Sequence, residues 1–117
     1  MPPEERDPAS LWDMRQSLAR ILRYTAGKTL AELSGDELLT DGVIRQFTVL
    51  GEAASRISAA LRSRTPEIPW QQIVGLRNVV VHQYDRVILE ELWGIVTDQV
   101  PSLLQRIDAL LPPPPNV

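Results

Sequence analysis

The chain has 117 residues, the size of one domain, with 44 % hydrophobic residues, a formal net charge of −3, one histidine and no cysteine. Without cysteine there is neither a disulfide framework nor a thiolate metal site, and with a single histidine a zinc site needs three carboxylates or a second chain, so no metal or other cofactor is expected. The acidic balance argues against broad coating of nucleic acid, no apolar run approaches the roughly 20 residues of a membrane span, and no secretory signal opens the chain, which together fit a cytoplasmic protein.

Met1 to Arg6 is polar, holds two prolines and is expected to fray. Asp7-Pro8 has the form of a helix start, Asp as N-cap and Pro at the first helical position. Leu11, Met14, Leu18, Ile21, Leu22 and Thr25 follow at helical spacing, with Arg15, Arg20 and Arg23 off that stripe and Gly27 as a stop. Thr29 to Glu32 reads as a capping box that opens a short helical turn ending at Ser34-Gly35. A second long helix is predicted from about Asp41 to Arg64, because Val43, Phe47, Leu50, Ala54, Ile57 and Leu61 form an unbroken apolar seam. Gly51, Ala53 and Ala54 are small enough to let another backbone come close, and Glu52 and Arg56 have the i, i+4 spacing of a surface ion pair.

Pro69-Trp70 opens a third predicted helix with Trp70, Ile73, Val74, Val80 and Val81 on its apolar face. Arg77 falls in the middle of that face, where a charge is costly unless it is paired or lines a cleft. Three consecutive valines, Val79 to Val81, make a strand the competing reading. Helix is preferred, because one isolated strand has nothing to pair with. Asp85 is placed as the cap of a fourth helix carrying Ile88, Leu92, Ile95, Val96, Val100, Leu103, Ile107 and Leu110, kinked at Pro101. Pro112 to Pro115 cannot continue a helix and begin an extended tail. Trp12, Trp70 and Trp93 read as core or interface aromatics. The fold expected is all-α: four main helices in an antiparallel bundle with an extra short turn, one domain over 1–117 with its core at about 9–111.

The polar chemistry is concentrated in Gly75 to Tyr84, which contains Arg77, Asn78, the only histidine, His82, and Tyr84. A lone histidine among valines is ordinarily a structural one. Here it lies beside an arginine and an asparagine, and a permanent cation with a proton carrier that titrates near neutrality is what phosphoryl chemistry uses. Asn78 and His82 share one face of an ideal helix. Arg77 and His82 stand roughly 140° apart on it, so one straight helix does not aim both at one point. Either the helix ends or distorts near His82, or a two-fold copy brings a second Arg-His set to the same cleft.

These residues resemble the HepT-like toxins of the HEPN-domain ribonuclease superfamily, whose hallmark is Arg, a polar residue, a short spacer and His, followed in the HepT branch by any residue and Tyr. Arg77, Asn78, His82 and Tyr84 fill that pattern. Val43 to Gln46, Gly51 to Ala54, Pro69-Trp70, Gly75 to Asn78, Leu92-Trp93 and Val100-Pro101 extend the likeness in order. The resemblance implies a helical bundle that dimerises and cleaves RNA without metal. It also implies a small nucleotidyltransferase antitoxin that transfers AMP onto Tyr84. On that reading His82 moves the proton, Arg77 steadies phosphate charge, Asn78 positions one of them or the substrate, and Glu52 and Arg56 are supporting or RNA-contact candidates. The alternative is a non-catalytic helical module that binds a nucleotide or a partner protein, in which Arg77 holds phosphate and His82 packs.

Overall fold

The structure, a computed structural model, describes residues 3–79 and 86–112, and every described element is helical. His82, Tyr84, Asp85, Val80, Val81 and the tail from residue 113 lie outside the described residues. Helices α1 (Pro3–Thr25), α2 (Leu30–Gly35), α3 (Glu37–Ser55), α4 (Ala59–Arg64) and α5 (Trp70–Gly75) are followed by a 3-10 turn (Leu76–Asn78), then α6 (Arg86–Asp98) and α7 (Val100–Leu110). Three of the four long helices expected from the sequence are therefore divided, and each division has an identifiable cause.

Helix α1 begins ahead of the expected Asp7-Pro8 cap. Pro8 sits early enough that its missing N–H forfeits a bond only to the exposed first turn, where water can serve the free carbonyl. Asp7 is not a cap but a buried side chain, 6 % exposed. Its carboxylate accepts from the Ser58 backbone N–H (2.8 Å) and from Ser58 Oγ (2.6 Å). Ser58 Oγ in turn accepts from Leu61 N–H and caps α4.

That joint explains why the helix predicted from Asp41 to Arg64 is two. It starts earlier, capped by Asp36, whose side chain accepts from Leu39 N–H at 3.0 Å. It stops at Ser55, and Ser58 leaves the helical conformation (φ −64°, ψ 152°) to meet Asp7. The seam survives the break, since Val43, Phe47, Leu50, Ala54, Ile57 and Leu61 are all buried. The Arg62 guanidinium bonds to the carbonyl of Ala54 (2.9 Å) and closes the end of α3. It also lies over the Trp70 ring at 5.9 Å, which links α3, α4 and α5.

Other local signals are realised as read. Gly27 adopts φ +71°, the left-handed stop. Thr29 and Glu32 form both bonds of the capping box. The fourth predicted helix divides at Gln99, where Pro101 falls in the first turn of α7 and cannot donate backward.

The core forms where α1 packs along α3 and α7, and where α6 packs on α7. Met14, Leu18, Ile21, Val43, Phe47, Leu50, Val96, Val100 and Ile107 interlock there with almost no solvent contact. Trp70 is buried and donates Nε1–H to Thr65 Oγ1 at 3.0 Å, and Trp93 packs half-buried on the core. Trp12 is not part of the core. It is 41 % exposed, with the Arg15 guanidinium 5.6 Å from its ring centre.

Candidate functional site

The backbone that carries Arg77 and Asn78 is set by two anchors ahead of it. Trp70 and Ile73 bury one side of α5, and α5 and the 3-10 turn both lie on α3. Beyond Gly75 the helix tightens. A 3-10 turn has three residues per turn, so Leu76 and Val79 fall on one face. Both pack half-buried against the core, while Arg77 and Asn78 point to solvent. The expectation that Arg77 interrupts a core stripe is thus corrected: a change of period over three residues moves it to the exposed side. Val79 takes extended geometry (ψ 116°), with its N–H bonded to Leu76 at 3.3 Å, so the predicted helix through Val81 ends at Asn78. Of the two ways to bring Arg77 and His82 together, a helix end ahead of His82 is therefore present in this fold.

What holds the turn against α3 is a missing side chain. Gly51 is buried, and a Cβ built on it would lie 2.9 Å from Arg77 Cβ and 3.0 Å from Arg77 Cα, with the Arg77 backbone nitrogen closer still. The small-residue patch noted in the sequence does admit another backbone, and that backbone belongs to the same chain. Ala53 and Ala54 are buried in the core. The patch is therefore filled inside the subunit and gives no support to a dimer contact.

Glu52 and Arg56 are exposed on the same end of α3. They do not form the expected ion pair, because α3 ends at Ser55 and Arg56 becomes its C-cap, outside the i, i+4 geometry. Among the described residues Arg77 has no carboxylate partner either, and its side chain is exposed. An ion pair joins Arg15 Nε to Asp108 at 2.6 Å, from α1 to α7. No group of three or more metal-ligating side chains occurs among the described residues. No described helix is long and apolar enough to cross a membrane. A cavity of about 700 Å³ lies between α2 and α6, lined by Leu30, Ser34, Arg86 and Glu90, and does not include the Arg77 turn.

A sequence model of the family described as "Ribonuclease HepT-like" matches residues 14–110. The chain belongs to the HepT-like ribonuclease family. The match runs from Met14 of α1 to the end of α7 and so takes in α3, α6, α7 and most of the apolar stripe of α1, with the Gly51 seat and the Arg77 turn. Among relatives, a Methanocaldococcus jannaschii protein named "Putative RNase" is 30 % identical over 100 residues, covering 86 % of this chain and 92 % of that protein. A Thermococcus cleftensis protein named "Probable ribonuclease HepT" is 28 % identical over 100 residues, covering 86 % of this chain and 91 % of its own. No solved structure matches the chain significantly. Two features of the HepT-like fold here were missed by sequence reasoning. The Asp7–Ser58 joint had a signal, a serine three residues before Leu61, but the continuous seam concealed it. Gly51 was noticed for its size, but not for which backbone it admits.

Proposed function

We propose that the protein is a toxin-type endoribonuclease that cleaves RNA by metal-independent transesterification. The observation that carries this reading is the exposed Arg77, which has no carboxylate partner among the described residues and is held on a 3-10 turn in a chain of the HepT-like ribonuclease family. In the proposed reaction a ribose 2′-oxygen attacks the adjacent phosphorus and the 5′-oxygen leaves, giving a 2′,3′-cyclic phosphate and a 5′-hydroxyl. The bond formed is O2′–P and the bond broken is P–O5′. His82 takes the 2′-proton or delivers one to the departing oxygen, a task suited to an imidazole, which ordinarily titrates near neutral pH. Arg77 meets the charge that grows on the non-bridging phosphate oxygens, a contact stronger in the transition state than in the ground state. The exposed Asn78 amide is next to it for orienting substrate or the imidazole.

A homodimer in which two Arg77–His82 sets face one cleft is part of the proposal. It rests on the resemblance and on the need for a proton donor as well as an acceptor. A partner nucleotidyltransferase that transfers AMP to Tyr84 is the proposed control. The adduct adds bulk and negative charge beside the motif, competes for Arg77 and repels the RNA backbone. The test is cleavage of total tRNA and mRNA with chelator present, wild type against Arg77→Ala. Wild type should cleave and leave cyclic phosphate ends, with Arg77→Ala slower by roughly 10²–10³. Strict dependence on added magnesium, or equal rates for the two proteins, would refute the reading.

A further inference from the structure

Glycine is the poorest helix former after proline, and Gly51 stands in the interior of a helix of 19 residues. Local preference does not account for it. The other helical glycines give the contrast. Gly35, Gly75 and Gly94 would meet nothing within 4 Å if they carried a Cβ, and Gly42 would meet only the Tyr24 ring at an ordinary 3.7 Å. At Gly51 alone the added atom would collide, and the three nearest atoms it would meet all belong to Arg77. Two are backbone atoms and the third is Cβ, so no flexible side-chain end can swing aside.

We infer that Gly51 is a positioning residue for Arg77: the absent side chain is the seat on which the arginine's backbone rests, and it sets where the guanidinium is presented. The inference rests on the assignment of Arg77 to the cleavage chemistry proposed above. A methyl group at this position has to move Arg77 outward by several tenths of an ångström to about 1 Å to restore ordinary carbon–carbon spacing. The displacement falls on the turn and not on α3. Helix α3 is fixed on its other sides by α1 and by buried Phe47, Leu50, Ala53 and Ala54. The turn is one 3-10 turn with exposed residues, closed onto Val79 by a 3.3 Å bond. Transition-state stabilisation depends steeply on such placement, and a shift of about 1 Å can cost roughly a hundredfold in rate.

The experiment compares wild type, Gly51→Ala, Gly94→Ala, Arg77→Ala and the Gly51→Ala/Arg77→Ala double variant, all as full chains, on a fluorescently labelled single-stranded RNA of mixed sequence. Gly51→Ala should lower kcat by roughly 10- to 100-fold with KM nearly unchanged, while Gly94→Ala, the same change into open space, leaves both unaltered. Because the effect passes through Arg77, the double variant should be no slower than Arg77→Ala alone. Full kcat in Gly51→Ala, or losses that multiply in the double variant, would overturn the inference. Two NMR measurements make it independent of the rate assay. The wild-type protein should give a strong Overhauser contact between the Gly51 Hα protons and the Arg77 amide proton, which needs no variant to fold, and its absence overturns the seat. In Gly51→Ala the amides of Arg77 and Asn78 should shift more than those of α1. If Arg77→Ala cleaves like wild type, the proposed chemistry fails, and the NMR results alone then decide whether Gly51 places the turn.

Discussion

Replacing Asp7 tests whether the joint between α1 and α4 is a structural fastening. Its carboxylate is buried and receives two hydrogen bonds from one residue, the Ser58 N–H at 2.8 Å and the Ser58 hydroxyl at 2.6 Å. Asp7→Ala removes the acceptor for both. The Ser58 hydroxyl can rotate, since it still receives the Leu61 N–H, but the Ser58 backbone N–H is left without its partner. An unsatisfied buried donor costs about 1–3 kcal/mol and a lost bond to a charged group about 1.5–3 kcal/mol, so a total of about 2–4 kcal/mol is expected after partial overlap of the two. For a domain of this size each kcal/mol moves the midpoint by roughly 3–6 °C, giving a fall in Tm of roughly 10 °C. Asp7→Asn retains a carbonyl for the N–H and loses the charge, so about 1 kcal/mol is expected. Urea unfolding followed by far-UV circular dichroism measures both, with an unchanged slope against denaturant confirming that only stability has moved. Asp7→Ala within about 0.5 kcal/mol of wild type would refute the reasoning, because that is the range of an ordinary surface change.

Three further outcomes are expected. Trp70→Phe removes the indole donor to Thr65 Oγ1 (3.0 Å) and should cost about 1 kcal/mol in the same unfolding assay, whereas an unchanged midpoint would mean the bond is matched by water. Gly27→Ala forces a Cβ into φ +71° and should cost about 1 kcal/mol by thermal unfolding even though the site is open to solvent; a gain in stability would contradict the assigned backbone. Tyr84→Phe should retain RNA cleavage yet resist silencing by a co-expressed nucleotidyltransferase, with intact-mass measurement showing an AMP adduct on wild type alone. Full silencing of the Phe variant without an adduct would make the control one of binding.

The helical class was legible because several elements state one of their ends. Gly27 stops α1, Thr29 and Glu32 open α2, and Pro69-Trp70 opens α5. What was not legible is where a tertiary partner overrides a continuous pattern. Ile57 and Leu61 keep the period of α3, and that continuity conceals the break at the Ser58 cap. Its cause, Asp7, is 51 positions away. The position of Arg77 was missed for a related reason: tightening from 3.6 to 3 residues per turn over Leu76 to Asn78 is too short to leave a periodic trace. The size of Gly51 was visible, but no local rule says which backbone it admits.

The pairing of α1 with α7 has a consequence for the order in which the chain can become active. Arg15 reaches Asp108 across 93 positions, and the apolar stripe of α1 faces residues of the last helix as well as those of α3. During synthesis α1, α3 and the Arg77 turn emerge first, and domains complete their folding only as the required partners leave the ribosome. Such long-range closure is slow compared with helix formation. The turn can settle on Gly51 early, but the platform beneath α3 is finished only when α7 arrives. A nascent chain therefore carries its arginine on an unfinished scaffold until α7 has been made.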